Sequence, residues 1–124
     1  MAETTEEKIV IIGTHGGGAP DLASLPFVVA NAALAMDVKT TVILQGDAVT
    51  LAVKGAGGNV QGIGFPPLKE LMASYFGQGG KLLVCTPCIK GRNIAPETLV
   101  AEGSLIAGAR VVQECLEAKA VLNY

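Results

Sequence analysis

The stretch KIVIIGT, Lys8 to Thr14, constrains this chain more than any other. It is a continuous β-branched run with no polar alternation, and it closes on a glycine and a threonine. A strand with one wet face alternates apolar and polar residues, so this one is covered on both faces. Helices above and below a sheet provide that cover.

The rest of the chain supplies such helices in alternation with further strands. Asp21 is placed to cap a helix from about Leu22 to Met36, with Pro26 early in it. KTTVILQG (Lys39 to Gly46) reads as a second strand, and DAVTLAVKG (Asp47 to Gly55) as a short helix ending on glycine. AGGNVQGIG (Ala56 to Gly64) holds four glycines and predicts a mobile loop. PPLKELMASYFG (Pro66 to Gly77) predicts a helix that opens on prolines, and KLLVC (Lys81 to Cys85) a third strand. TPCIKGRNIAPETLVAEG is turn-rich, with a short strand near Thr98 to Ala101. SLIAGARVVQECLEA (Ser104 to Ala118) predicts an amphipathic helix. Its apolar face carries Leu105, Ala109, Val112 and Leu116, while Arg110, Gln113, Glu114 and Glu117 lie away from it. KAVLNY (Lys119 to Tyr124) closes the chain as a strand. This order implies an α/β fold with a mostly parallel sheet.

Charge is scarce. Half of the 124 residues are hydrophobic and 16% are charged, against about 25% in ordinary soluble domains. The expectation is a homo-oligomer that buries part of its surface against copies of itself. A membrane span is not expected. The longest apolar run near the N-terminus, LPFVVANAALAM, has 12 residues and is broken by Asn31, where a spanning helix needs roughly 20. MAETTEEK is acidic and polar, unlike a secretory signal. A cytoplasmic protein is expected, one domain over residues 1–124 with a flexible N-terminus over 1–7. A net charge of −2 and the lack of tryptophan argue against a nucleic-acid partner. The three cysteines, Cys85, Cys88 and Cys115, are an odd number and do not suggest a disulfide framework.

The chemistry concentrates at VCTPCIKGRN, Val84 to Asn93. In a parallel sheet the working site lies beyond the carboxyl ends of the strands. Those positions here are His15 with its glycines, Gln45 to Asp47, and Cys85 to Arg92. Cys85 ends a strand, and Lys90 and Arg92 can supply positive charge that favours a thiolate. Cys88 is close enough to resolve a modified Cys85 through a disulfide. Cys115 falls among Val111, Val112 and Leu116 and reads as core. His15, the one histidine, could face Cys85 and stabilise its thiolate or shuttle a proton. GTHGGGAP suggests either a tight backbone approach or a place for an anion. It matches neither the P-loop nor the dinucleotide fingerprint, so no cofactor is expected.

Three readings fit these residues. Cys-Thr-Pro-Cys has the spacing of a thioredoxin-type dithiol, but that motif normally follows an early strand. Zinc wants four ligands, and the chain offers Cys85, Cys88 and His15, so no metal is expected without a neighbouring subunit. The third reading is an interaction module with idle thiols.

Val84 to Ile94 resembles the DsrE/DsrF-like family of sulfur-relay proteins, which includes the TusD-type subunits. The resemblance rests on KLLVC followed by the basic turn IKGRNI. It extends from Lys8 to Asn123 through KIVIIGT, VILQGDAVTLA and ARVVQECLEAKAVLNY. It implies a three-layer α/β/α fold with a five-stranded parallel sheet, assembled as a homotrimer or homohexamer. It also implies a carrier that holds sulfane sulfur as a persulfide on Cys85. Sulfur-donor and sulfur-acceptor proteins, or small sulfur compounds, would be its partners. Counting back from Arg92-Asn93-Ile94 leads to Cys85 as the carrier position. Asn93 stands where the family often has glycine, and Cys88 adds a second thiol. The glycine-rich segment Gly55 to Gly64 would then be an access loop.

Overall fold

The computed structural model describes residues 7–124. The expectation of a flexible segment over 1–7 falls outside the described residues except at Glu7, whose carbonyl accepts the Lys39 N–H at 3.1 Å.

Five strands form one sheet: β1 (Lys8–Gly13), β2 (Lys39–Leu44), β3 (Lys81–Cys85), β4 (Gly103–Ile106) and β5 (Ala120–Asn123). The order is β4-β3-β2-β1-β5, and every neighbouring pair is parallel. Parallel pairing forces a crossover after each strand. Four α-helices lie between the strands: α1 (Pro20–Ala35), α2 (Leu68–Gly77), α3 (Thr86–Gly91) and α4 (Gly108–Glu117). Short 3-10 helices occupy Gly46–Ala52, Ala56–Asn59 and Pro96–Thr98.

The alternation of side chains along each strand feeds two cores. Ile11, Val42, Leu44, Leu82 and Val84 pack with Phe27 and Ala30 of α1 and with Leu68, Leu71 and Tyr75 of α2. On the opposite face Val10, Ile12, Ile43, Leu83 and Ile106 pack with Val111, Cys115 and Ala118. The arrangement is the three-layer α/β/α sandwich with a five-stranded parallel sheet. One layer is thick, and the other is the single ten-residue helix α4.

Several local expectations need correction. α1 begins at Pro20, so Pro26 sits in its second turn and packs near Gly13. Asp21 does not cap it; Ala19 holds the cap position. Asp21 Oδ1 instead accepts the Ile63 N–H at 2.8 Å, tying the glycine-rich segment to the start of α1. That segment is structured in part: Ala56–Asn59 forms a 3-10 turn, and Gly57 is buried against Leu68 and Lys69. The expected helix from Asp47 is a 3-10 helix. The short strand expected near Thr98 to Ala101 is one antiparallel bridge between Leu99 and Val53, and β4 starts at Gly103.

α4 is rotated relative to the sequence reading. Val112 and Leu116 point outward at 59% and 82% exposure, while Glu114 is buried at 3%. The cause is ionic. Lys8 and Lys81 open β1 and β3, and their ammonium groups lie 2.7 and 4.0 Å from the two Glu114 carboxylate oxygens. A buried carboxylate needs such partners, so α4 turns its glutamate inward and its valine and leucine out.

Candidate functional site

All five strands run the same way, so their carboxyl ends share one edge of the sheet. β3 delivers Cys85 there, and the chain turns at once into α3, with Cys85 as its N-cap residue. Pro87 fits because the first helical turn needs no N–H from it. Ile89 is fully buried and anchors α3 to the core. Cys88 therefore comes back over the sheet edge, and both thiols are half-buried and unoxidised.

Next to β3 along the edge stands β2. Gly46, two residues past its end, has φ +55°, in the left-handed region that glycine enters without strain. Its N–H donates to Cys88 Sγ at 3.3 Å. Asp47 follows and holds Arg92: Oδ1 accepts from Nη2 at 2.7 Å and from Nε at 3.1 Å. The same guanidinium donates through Nη1 to the Cys88 carbonyl at 3.2 Å. Gly46 and Asp47 thus hold Cys88 by its sulfur and by its backbone. Asn93 has φ +56°, the conformation glycine takes most easily and asparagine next. An asparagine here meets the same backbone demand as the glycine common in the resembling family.

The Cys85 thiol lies above its ordinary pKa. Burial is the main cause, followed by hydrogen bonding to the Cys88 side chain; the Cys88 backbone amide and the Arg92 charge pull the other way. The expected cation-lowered thiol is therefore not what the resting protein holds. Arg92 is already committed to Asp47, which dilutes its effect on sulfur. Lys90 is exposed in the last turn of α3.

His15 stands at the end of β1, two strands from β3, roughly 10 Å of sheet width away. Its Nδ1 is 3.3 Å from Thr14 Oγ1. It lines a separate cavity of about 330 Å³ with Gly16, Gly17, Gly18, Asp47 and Thr50. The structure brings Cys85, Cys88 and Arg92 together, and it places His15 beyond Asp47. The glycines answer the choice between close approach and anion site. A Cβ at Gly16 would sit 2.9 Å from the Asp47 carbonyl, and one at Gly17 would sit 3.0 Å from Val60. Close packing demands the first two, Gly16 against the Gly46–Ala52 helix and Gly17 against Val60, while a side chain at Gly18 would meet open space. Among the described residues no three His, Cys, Asp or Glu side chains cluster as metal ligands, and no helix is long and apolar enough to cross a membrane.

The sequence reading placed Gln45 to Asp47 at this edge but gave them no task. A lone aspartate after a strand signals nothing until Arg92, 45 residues on, is folded against it.

A sequence model of the DsrE/DsrF-like family matches residues 7–124. The chain belongs to that family. Its cysteine at the carboxyl end of β3 and the basic turn that follows are the features that carry the resemblance. An uncharacterized protein from Methanocaldococcus jannaschii is 36% identical over 108 residues, 87% of this chain. The chain spans 39% of that relative's length. Among solved structures, the YchN protein from E. coli superposes with a TM-score of 0.81 at 22% identity, covering 95% of this chain and 99% of YchN. A conserved protein of unknown function from Bacteroides thetaiotaomicron gives 0.72 at 14% identity over the whole of both chains. These structures share the DsrE/DsrF-like architecture with this chain.

Proposed function

We propose that the protein carries sulfane sulfur as a persulfide on Cys85 and passes it to a partner thiol. The observation that carries this reading is the placement of Cys85 at the carboxyl end of β3, with Cys88 and Arg92 folded back beside it. No cofactor is needed for the chemistry. A donor persulfide R–S–S⁻ meets the protonated Cys85 thiol and takes its proton, which leaves a Cys85 thiolate facing R–S–SH. Cys85 sulfur bonds to the terminal sulfur, the donor S–S bond breaks, and the thiol proton leaves on R–SH. Charge and atoms balance, and the product is Cys85–S–S⁻. A persulfide is more acidic than its parent thiol, so a site that keeps Cys85 protonated at rest becomes anionic once loaded. Arg92 and the Cys88 amide then face a charge they can stabilise. An acceptor thiol reverses the steps.

The partners are sulfur-donor and sulfur-acceptor proteins or small sulfur compounds in the cytoplasm. The assembly is a homotrimer or homohexamer, supported by the outward Val112 and Leu116 on α4 and by exposed Leu105 and Val121. Val112 and Leu116, one helical turn apart on α4, form an apolar patch that a monomer leaves wet.

A second reading is a thioredoxin-like dithiol protein that cycles between Cys85–Cys88 disulfide and dithiol. The placement of Cys85 at the N-cap of α3 and Cys88 in its first turn favours it. Sulfur transfer from a persulfide donor to an acceptor thiol separates the two. The carrier reading requires transfer to vanish in Cys85→Ser and to persist in Cys88→Ser. Transfer that survives Cys85→Ser sinks it, and loss only in reductase activity of both variants favours the dithiol protein.

A further inference from the structure

The Gly46–Asp47 turn grips Cys88 twice. Gly46 N–H meets its sulfur at 3.3 Å, and Asp47, through Arg92, meets its carbonyl at 3.2 Å. Gly16 packs so closely on Asp47 that no larger residue fits without a shift, so the turn is itself held in place. The Asp47–Arg92 pair is surface-exposed, with side-chain exposures of 73% and 37%. Such a pair adds little to folding. Its two hydrogen bonds on one carboxylate oxygen fix the guanidinium plane, and that plane fixes the Cys88 carbonyl.

We infer that Asp47 is a positioning residue, which, through Arg92, holds Cys88 against Cys85 as the thiol that discharges sulfur from Cys85. This rests on the carrier reading above and specifies how the carrier is emptied when no acceptor arrives. The Cys88 thiol attacks the inner sulfur of Cys85–S–S⁻. The bond between the two persulfide sulfurs breaks, a Cys85–Cys88 bond forms, and the Cys88 proton leaves with the sulfide as HS⁻. The sulfane sulfur gains two electrons and the two cysteine sulfurs lose them. An external dithiol then restores the reduced pair. The rate depends on how well Cys88 is aimed, because the attacking thiol must reach one particular sulfur in line with the bond that breaks.

Reduced full-length protein is loaded with inorganic polysulfide, quenched with an alkylating agent at intervals, and weighed intact. Wild type passes from persulfide to internal disulfide with release of sulfide. Asp47→Ala accumulates persulfide on Cys85, with discharge slowed roughly tenfold relative to loading. Discharge at the wild-type rate in Asp47→Ala overturns the proposal and leaves the carrier reading standing. If Cys85 takes no sulfur at all, the carrier reading falls, and the aim of Cys88 is judged from the Cys85–Cys88 disulfide equilibrium with dithiothreitol. A tenfold loss of disulfide stability in Asp47→Ala, about 30 mV for this two-electron couple, upholds the positioning role. An equilibrium equal to wild type overturns it. An unchanged melting temperature in the variant shows that the fold is not what moved.

Discussion

Oε1 of Glu114 lies 2.7 Å from the Lys8 ammonium, and both side chains are buried, on the thin side of the sheet. Oε2 of the same carboxylate accepts Arg110 Nε at 2.7 Å, and Glu117 adds a second contact to Lys8 at 3.2 Å. This network holds α4, among the described residues the one α-helix on that face, to the first strand.

The network predicts acid sensitivity. Burial opposes the Glu114 charge, but hydrogen bonds from Lys8 and Arg110 outweigh it and hold the carboxyl at about 2, from an ordinary 4.5. A folded pKa below the unfolded one gives stability that is fully present above the unfolded value and lost as pH falls through the folded one. The loss therefore runs from about pH 4.5 down to about pH 2 and amounts to about 3 kcal/mol. Urea unfolding across this range reads it directly. Glu114→Gln loses a similar amount at neutral pH and flattens the acid slope.

Tyr75 predicts a second weak point. Its ring packs edge-on to Phe27 at 5.6 Å. Its hydroxyl accepts the Val42 N–H at 3.1 Å and donates to the Lys81 carbonyl, joining α2 to β2 and β3. Tyr75→Phe leaves a buried amide unpaired and costs about 1–3 kcal/mol in denaturant unfolding. Gly80→Ala costs more, because the new Cβ would strike the Tyr75 ring.

The thiol site predicts a pH profile. A raised Cys85 pKa means slower alkylation at neutral pH than an ordinary free cysteine, with the rate climbing at alkaline pH. Cys88→Ala removes a hydrogen bond and a repelling charge that both raise it, so alkylation of Cys85 at neutral pH speeds up. Arg92→Ala removes a lowering charge and slows it. Iodoacetamide rates read by peptide mass spectrometry check both directions.

The outward face of α4 predicts an assembly that charge disrupts. Val112→Glu with Leu116→Glu converts an oligomer to monomers in sedimentation, and leaves the monomer folded, because both side chains are already solvent-facing in a single chain. A wild-type chain that sediments as a monomer contradicts the assembly.

The sheet was legible because KIVIIG, VIL and LLV have no polar alternation, and strands buried on both faces read that way in any context. The thiol edge was legible because a parallel sheet sends every strand end to one side. The orientation of α4 was not. Helical periodicity put Val112 and Leu116 inside, and the reversal depends on Lys8 and Lys81, which no local pattern marks as core partners for Glu114. α3 was missed because Pro87 and Gly91 read as turn residues, although proline is tolerated in a first turn and the glycine ends the helix. The site was half-legible. Cys85, Cys88 and Arg92 lie within one octapeptide, whereas Gly46 and Asp47 reach them only through the β2–β3 crossover.

Which cysteine bears sulfur tests the central claim most directly. Reduced wild-type protein is exposed to inorganic polysulfide, trapped by alkylation, digested and mapped by mass spectrometry. The account predicts added sulfur on Cys85, removable by reductant. Added sulfur confined to Cys88, or none on either thiol, would contradict it.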